Sequence, residues 1–363
     1  MDRRTFLTAA AAGAGASLLP GNAVAADGLP ALVRPYLDRA LAAGSPSVVC
    51  GVIQGRRTYV AGAGRAAGGA VPDGRTVYQL GSISKTLTAT ALARAVGAGT
   101  ARLDAPLVLP DRFRIPRKGF RRITLADLAT HTSGLPSLPP NLLPGADPLD
   151  PYAHYTLDDL AAGLRKTRLR TKPGKVHTYS NLGFGLLGQA LAFDGVDPML
   201  RHQVTSPLGL ADTVTTLRPD MASRKAVGHL EGEPVPDWHD HVLSAAGTSM
   251  YSTADDMVRF LGAQLHPERS PLRDAIELTQ RPHFTVDRDL RIGLAWHLSR
   301  LSDGRIMTWH NGGTGGFSTC AAFCRESGTA VVMMVNTASE ETATQPRPVD
   351  ALTITLLGEL DAA

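Results

Sequence analysis

The run GSISKTLTATALARA, residues 81–95, sets a serine and a lysine three positions apart at the head of an apolar pattern with helical spacing. Residues i and i+3 share a helix face, so Ser82 and Lys85 can approach each other while the first-turn N–H groups point toward the hydroxyl. A serine hydroxyl is a poor nucleophile until a base takes its proton, and a lysine can take that part when burial or charge tunes it. The same residues also fit a plain reading, with Ser82 as a helix cap and Lys85 on the surface. The small, apolar stretch Thr86 to Val96 suits a buried helix better than a surface one.

Outward from this helix, two further stretches carry chemistry. Tyr179-Ser180-Asn181 stands just before a helical pattern beginning at Asn181. A tyrosine can relay a proton if a cation holds its phenolate, and an asparagine both donates to and accepts from an amide. A capped helix beside a core tyrosine is the plain alternative. His310-Asn311-Gly312-Gly313-Thr314-Gly315-Gly316-Phe317 lies between two strand-like runs. Its glycines let a backbone approach a ligand, and a free N–H there could stabilise an oxyanion; a glycine hairpin explains them equally.

Between these sites the pattern divides into three stretches. Leu29 to Ala43 reads as a helix, and Ser47 to Gln54 with Arg57 to Gly62 as a strand pair turning at Gly55. Helical patterns then dominate: Ser82–Val96, Thr124–Thr130, Thr156–Lys166, Asn181–Ala192 and Thr253–Gln264. Several open on a Ser, Thr or Asn suited to capping. The Pro-rich connection Leu135 to Pro151 is long enough to lie over a site. Strands return at Arg305–Trp309, Phe317–Cys324 and Thr329–Asn336, before a last helix at Val349–Leu360. The order predicts an α/β lobe built from both chain ends, about residues 27–80 and 286–363, with a helical lobe inserted over about 81–285. The cleft between lobes is where a ligand site is expected.

The 363 residues are 43% hydrophobic and 19% charged, as in a globular protein able to bury a sizeable core. The net charge of +4 is spread along the chain, so no basic stripe for nucleic acid stands out. MDRRTFLTAAAAGAGASLLPGNAVAA begins with charge, continues into an apolar run and reaches the small-residue site Ala23-Val24-Ala25. This predicts an export signal over residues 1–25. Arg3-Arg4-Thr5-Phe6-Leu7 looks like a twin-arginine signal, which predicts secretion or a periplasmic location. The run is short and glycine-interrupted for a membrane span. Cys50, Cys320 and Cys324 are too few for a disulfide framework, and Cys320 and Cys324 lie too far apart along one strand to bridge each other. Gly62, Gly64 and Gly68 lead into the turn Val71-Pro72-Asp73-Gly74 where a dinucleotide fold needs a helix N-terminus, and His239-Asp240-His241 has no third ligand nearby. Neither a cofactor nor a metal is expected.

In this order, the three stretches resemble the serine β-lactamase and penicillin-binding protein superfamily, within it the class C β-lactamase-like branch. Ser82-Ile83-Ser84-Lys85 matches Ser-x-x-Lys, Tyr179-Ser180-Asn181 matches Tyr-x-Asn, and His310-Asn311-Gly312 occupies the place of Lys-Thr-Gly. Thr124 to Leu135, Pro207-Leu208-Gly209-Leu210 and Ser252 to Met257 also look like this branch. The resemblance implies an antiparallel sheet flanked by helices, an α+β sandwich, with the inserted helical lobe. It implies an acyl-enzyme on Ser82, with Lys85 and Tyr179 sharing the base role and Tyr179 activating the acceptor that releases the acyl group. It implies that Asn181, His310, Asn311 and Gly312 bind substrate and that the N–H groups of Ser82 and Gly313 form the oxyanion hole. His131 is read as structural. The substrate is a small molecule or peptide: a β-lactam, or a D-amino-acid peptide, amide or ester. The motif departs from the family at position 310, because a histidine is charged only in part near neutral pH, and Asn311 replaces a hydroxyl. An esterase or transacylase, and a non-catalytic sensor of β-lactams or wall peptides on the same fold, are the alternatives.

Overall fold

A computed structural model describes residues 28–192, 195–339 and 347–362. The expected signal, residues 1–25, lies outside the described residues. An eight-stranded sheet runs in the spatial order Arg57–Gly64, Ser47–Gln54, Thr329–Val335, Ser318–Cys324, Ile306–Gly313, His297–Arg300, Leu290–Ile292, Phe284–Thr285. Every neighbouring pair in it is antiparallel. The first strand pair therefore joins the last strands of the chain, as the sequence predicts. The short strands at 284–300 were not expected from the sequence.

Strand alternation gives the sheet two apolar faces. One face, with Val48, Cys50, Val52, Met307, Trp309, Ala322, Val331 and Met333, packs on the terminal helices Gly28–Ala42 and Pro348–Ala362. The other, with Val49, Ile53, Ala321, Phe323, Val332 and Met334, packs on Met257 and Phe260 of helix Ala254–Leu265 and on Leu87 of helix Ser84–Gly97. The latter helix also reaches a second cluster through Ala89, Leu92 and Ala93, which meet Leu128, Leu160, Leu164, Phe184 and Leu187 of the helical region. One helix thus spans the junction, and Ser82 and Lys85 lie at its sheet-side start.

Side-chain caps form at four of the expected helix starts, while helix Ser84–Gly97 has none, its N-cap position being Ile83. Thr124 and Thr156 each close a capping box, with Asp127 and Asp159 returning to the cap N–H. Ser180 accepts from the Gly183 N–H at 2.9 Å, and Thr253 from the Asp256 N–H at 3.2 Å. The three cysteines are buried, free thiols. Cys50 and Cys320 both lie opposite Met333, on either side of its strand. That separation is about 10 Å, beyond the reach of a disulfide. Burial pushes the Cys50 thiol up to about 12.

Candidate active site

Ser82 sits in the single 3-10 turn Gly81–Ile83, which leads directly into helix Ser84–Gly97. Gly81 takes a left-handed φ of 60°, and a β-carbon on it would stand 2.4 Å from the Gly313 nitrogen. A β-carbon on Gly312 would in turn lie 2.2 Å from the Leu80 carbonyl and 3.0 Å from the Ser82 nitrogen. No side chain fits either position, so the end of strand Ile306–Gly313 closes against the serine turn by backbone alone. The two N–H groups expected to form the oxyanion hole, those of Ser82 and Gly313, are thereby brought to one place.

Lys85 is wholly buried, and its Nζ donates to Ser82 Oγ at 2.8 Å and to the Ala246 carbonyl. Burying an ammonium unpaired costs several kcal/mol, which these acceptors offset. The Nζ also lies 4.8 Å from the centre of the Tyr179 ring and 5.8 Å from that of Phe184. Serine, lysine and tyrosine therefore form one constellation, although Tyr179 is almost a hundred residues away in the chain.

Tyr179 is aimed by a loop from another helix. The Thr178 N–H donates to the His131 carbonyl at 2.7 Å, and the Ser180 N–H to His131 Nδ1 at 3.0 Å. The imidazole packs over Tyr179 with ring centres 4.3 Å apart. His131 is buried and holds a φ of 57°, an uncommon left-handed setting for a residue with a side chain. Its loop is anchored by Asp127, which takes both guanidinium nitrogens of Arg121 at 2.8 and 3.0 Å. The structural reading of His131 thus gains a specific task, which is to fix the position of Tyr179.

Asn181 opens helix Asn181–Leu191 and lies beside Tyr152, whose hydroxyl it engages. Burial pushes the Tyr152 phenol up, with Asp240 adding to the effect. Tyr152 packs on Trp238 with ring centres 5.4 Å apart. Asp150 joins the same wall, accepting from the His239 N–H at 2.8 Å and contacting its Nδ1 at 2.7 Å. The connection over 135–151 therefore borders the site: Pro136 and Ser137 accept from Ser180 and Leu182, and its far end packs on the Trp238 loop.

The 306–313 strand supplies the remaining wall. His310 is buried; its Nδ1 donates to the Asn311 carbonyl at 2.6 Å, and its ring centre lies 6.4 Å from that of Tyr179 and 5.3 Å from that of His297. A carbonyl only accepts, so Nδ1 carries the proton in this contact. Asn311 corrects the sequence expectation. Its Nδ2 donates at 2.7 Å to Asp350 Oδ2, a buried carboxylate on the last helix. Alternation along the strand turns it with Trp309 away from Tyr179, so it does not replace the family's hydroxyl donor.

A residue that sequence reasoning missed stands next to this strand. The Nη1 of Arg347 donates to the Gly312 carbonyl at 2.9 Å, and a β-carbon on Gly313 would meet the same nitrogen at 2.7 Å. Arg347 precedes the final helix and shares no motif with the other site residues, so only the folded sheet reveals it. His239 and Asp240, considered for metal, are otherwise engaged: His239 with Asp150, and Asp240 with the N–H groups of Val242 and Leu243 at 2.7 Å each.

A family model described as Beta-lactamase matches residues 29–354. The chain belongs to the Beta-lactamase family. Among its relatives, the D-alanyl-D-alanine-carboxypeptidase/endopeptidase AmpH of Escherichia coli (strain K12) is 31% identical over 279 residues, covering 72% of this chain and 71% of that protein. Penicillin-binding protein 4 of Amycolatopsis lactamdurans is 27% identical over 285 residues, with 72% of each chain covered. A Beta-lactamase of Yersinia enterocolitica is 29% identical over 240 residues, covering 61% of this chain and 56% of that one. The protein is accordingly a serine hydrolase of the Beta-lactamase family. Its mixed fold of helices and antiparallel sheet agrees with the β-lactamase/transpeptidase fold that the sequence implies. Among the described residues no helix is long and apolar enough to cross a membrane.

Proposed function

We propose that the protein is an exported acyl-enzyme hydrolase of peptides that end in D-alanine, acting through Ser82 and open to acylation by β-lactams. The observation that carries the mechanism is the Lys85 Nζ to Ser82 Oγ hydrogen bond of 2.8 Å inside a buried site. Ser82 Oγ attacks the substrate carbonyl, and its proton passes to whichever member of the pair holds the free lone pair, the Tyr179 phenolate beside the Lys85 ammonium or the neutral Lys85 amine. The carbonyl oxygen, negative in the tetrahedral intermediate, is held by the N–H groups of Ser82 and Gly313. As the C–N bond breaks, the proton passes to the departing amine, and the acyl group remains on Ser82. Tyr179 then takes a proton from water, which attacks the ester and frees the enzyme. Asn181 holds the substrate amide beside Tyr152, and His310 with the Gly312 backbone lines the opposite side.

Arg347 supports a substrate with a free carboxylate. A guanidinium stays charged at all relevant pH and matches a carboxylate in a bidentate fashion, so it offers the fixed cation that a histidine at position 310 does not guarantee. The relative named as a D-alanyl-D-alanine-carboxypeptidase points the same way. Export rests on the sequence of residues 1–25, with its paired arginines.

The test is D-alanine release from a peptide ending in D-Ala-D-Ala, beside the same peptide with its C-terminal carboxylate amidated. The free acid should be the better substrate by about tenfold or more, as the loss of a charge-assisted pair implies. Equal rates on acid and amide would remove the carboxylate assignment, and faster cleavage of simple esters than of either peptide would favour the esterase alternative.

A further inference from the structure

On the same sheet, at the opposite end of strand Ile306–Gly313 from the active site, a cleft of about 510 Å³ opens beneath the end of helix Arg273–Gln280. It contains none of the catalytic residues. Leu298, Thr308 and Ile306 form its floor, and Arg281, Arg288, Arg291, Arg300 and Arg325 stand around it with Glu277, Asp289 and Glu326. The register explains the gathering. Arg291 is opposite Leu298, which is opposite Thr308, and Arg300 is opposite Ile306, so the arginines share a face with the apolar floor.

The charges do not cancel locally. Glu277 is taken by Arg273, which is outside the cleft, at 3.3 Å, and Asp289 by Arg288 at 2.9 Å. Arg325 reaches only the neutral Gln280, at 3.4 Å. Arg281, Arg291 and Arg300 have no side-chain hydrogen bond or ion pair among the described residues. Four guanidinium groups without a carboxylate partner, against the one further carboxylate of Glu326, leave a net positive charge over an apolar floor and raise the potential inside a concavity of ligand size.

We propose that this cleft binds a small organic oligoanion, a molecule with two or more phosphate or carboxylate groups on a partly apolar body. One anionic group would leave most of the charge unmet, which is why two or more are required. Guanidinium groups pair with both anion types through two parallel hydrogen bonds. Leu298 and Ile306 would cover the apolar part. No aromatic side chain lines the cleft, so a base would find no stacking surface, and a nucleotide is disfavoured for that reason.

The probe is inorganic tripolyphosphate, titrated calorimetrically into the intact protein at 0.15 M salt, with orthophosphate as the single-anion comparison. Tripolyphosphate should bind at a single site, at least tenfold more tightly than orthophosphate. Arg291→Gln combined with Arg300→Gln should weaken it by tenfold or more while leaving the hydrolytic rate unchanged, which also certifies the fold of the variant. Ser82→Ala should bind as the parent does, and so should Arg34→Gln, a change on the exposed face of the first helix. No binding by the parent, or equal binding by the double variant, would overturn the proposal.

Discussion

On one wall of the site, Ser82 and Lys85 lie three residues apart on a continuous turn and helix, and both enter the reacting centre. On the other, His310 and Asn311 are adjacent on a strand, yet only His310 faces Tyr179 while Asn311 serves the core. The helix brings i and i+3 together, whereas the strand separates i and i+1. A motif transferred letter by letter therefore keeps its meaning on the first wall and loses part of it on the second. The first wall matches the family motif at both positions and the second departs from it; under the proposed function the first carries the reaction, and substrate choice falls to His310, Arg347 and the backbone of Gly312.

The comparison breaks first if the Ser82 wall is not what sustains turnover. Ser82→Ala should reduce kcat/KM by about a thousandfold or more, and Lys85→Ala by about a hundred- to ten-thousandfold, measured as D-alanine release. Residual rates close to the parent's in either would separate the reaction from this wall.

A smaller loss is expected from His131. Its Nδ1 accepts from Ser180 and its ring packs on Tyr179, so His131→Ala should misplace the phenol and lower kcat by about a hundredfold, the scale of a displacement near 1 Å. KM should change far less, because Asn181 and Arg347 remain. His131→Asn, which can still accept from the Ser180 N–H, should recover part of the loss. A rise in KM alone, with kcat kept, would make His131 a binding residue instead.

On the second wall, Arg347→Gln should cost about tenfold in kcat/KM on a carboxylate-ended peptide and little on its amide. Adding His310→Lys should restore discrimination in favour of the acid. An equal loss on both substrates would assign Arg347 to holding the Gly312 strand rather than to the carboxylate.

Asn311→Ala should give the smallest catalytic effect, within about twofold, and destabilise the fold by about 1–3 kcal/mol in chemical denaturation, because it deprives the buried Asp350 carboxylate of a partner. A large drop in activity without loss of stability would return Asn311 to the substrate side.

How much of this was legible in the sequence follows the same division. Helices and their caps were readable because the signals are local: Thr124 with Asp127, Thr156 with Asp159, and Ser180 ahead of Gly183. The outer pair of long strands and the last three were readable from their apolar runs. The strands at 284–300 were not, being two to four residues long and interleaved with charge, as in Leu290-Arg291-Ile292. Short charged strands suit the edge of a sheet, where they discourage further pairing. The approach of Gly81 to Gly313 depends on a contact across more than two hundred residues, and that of Arg347 to Gly312 on one across 35, which no local pattern encodes. The parity of Asn311 was available in principle, since Trp309 is two residues earlier on the same face, but motif matching passed over it.

The central claim is that Ser82 becomes acylated because Lys85 and Tyr179 are held against it. The most direct measurement is the intact mass of the protein after timed exposure to a penicillin, followed by peptide mapping, in the parent and in Ser82→Ala. A mass increase equal to the penicillin, mapped to Ser82 and absent from the variant, is the predicted result. The absence of an adduct at Ser82, with the penicillin left intact and no D-alanine released from peptide, would contradict it.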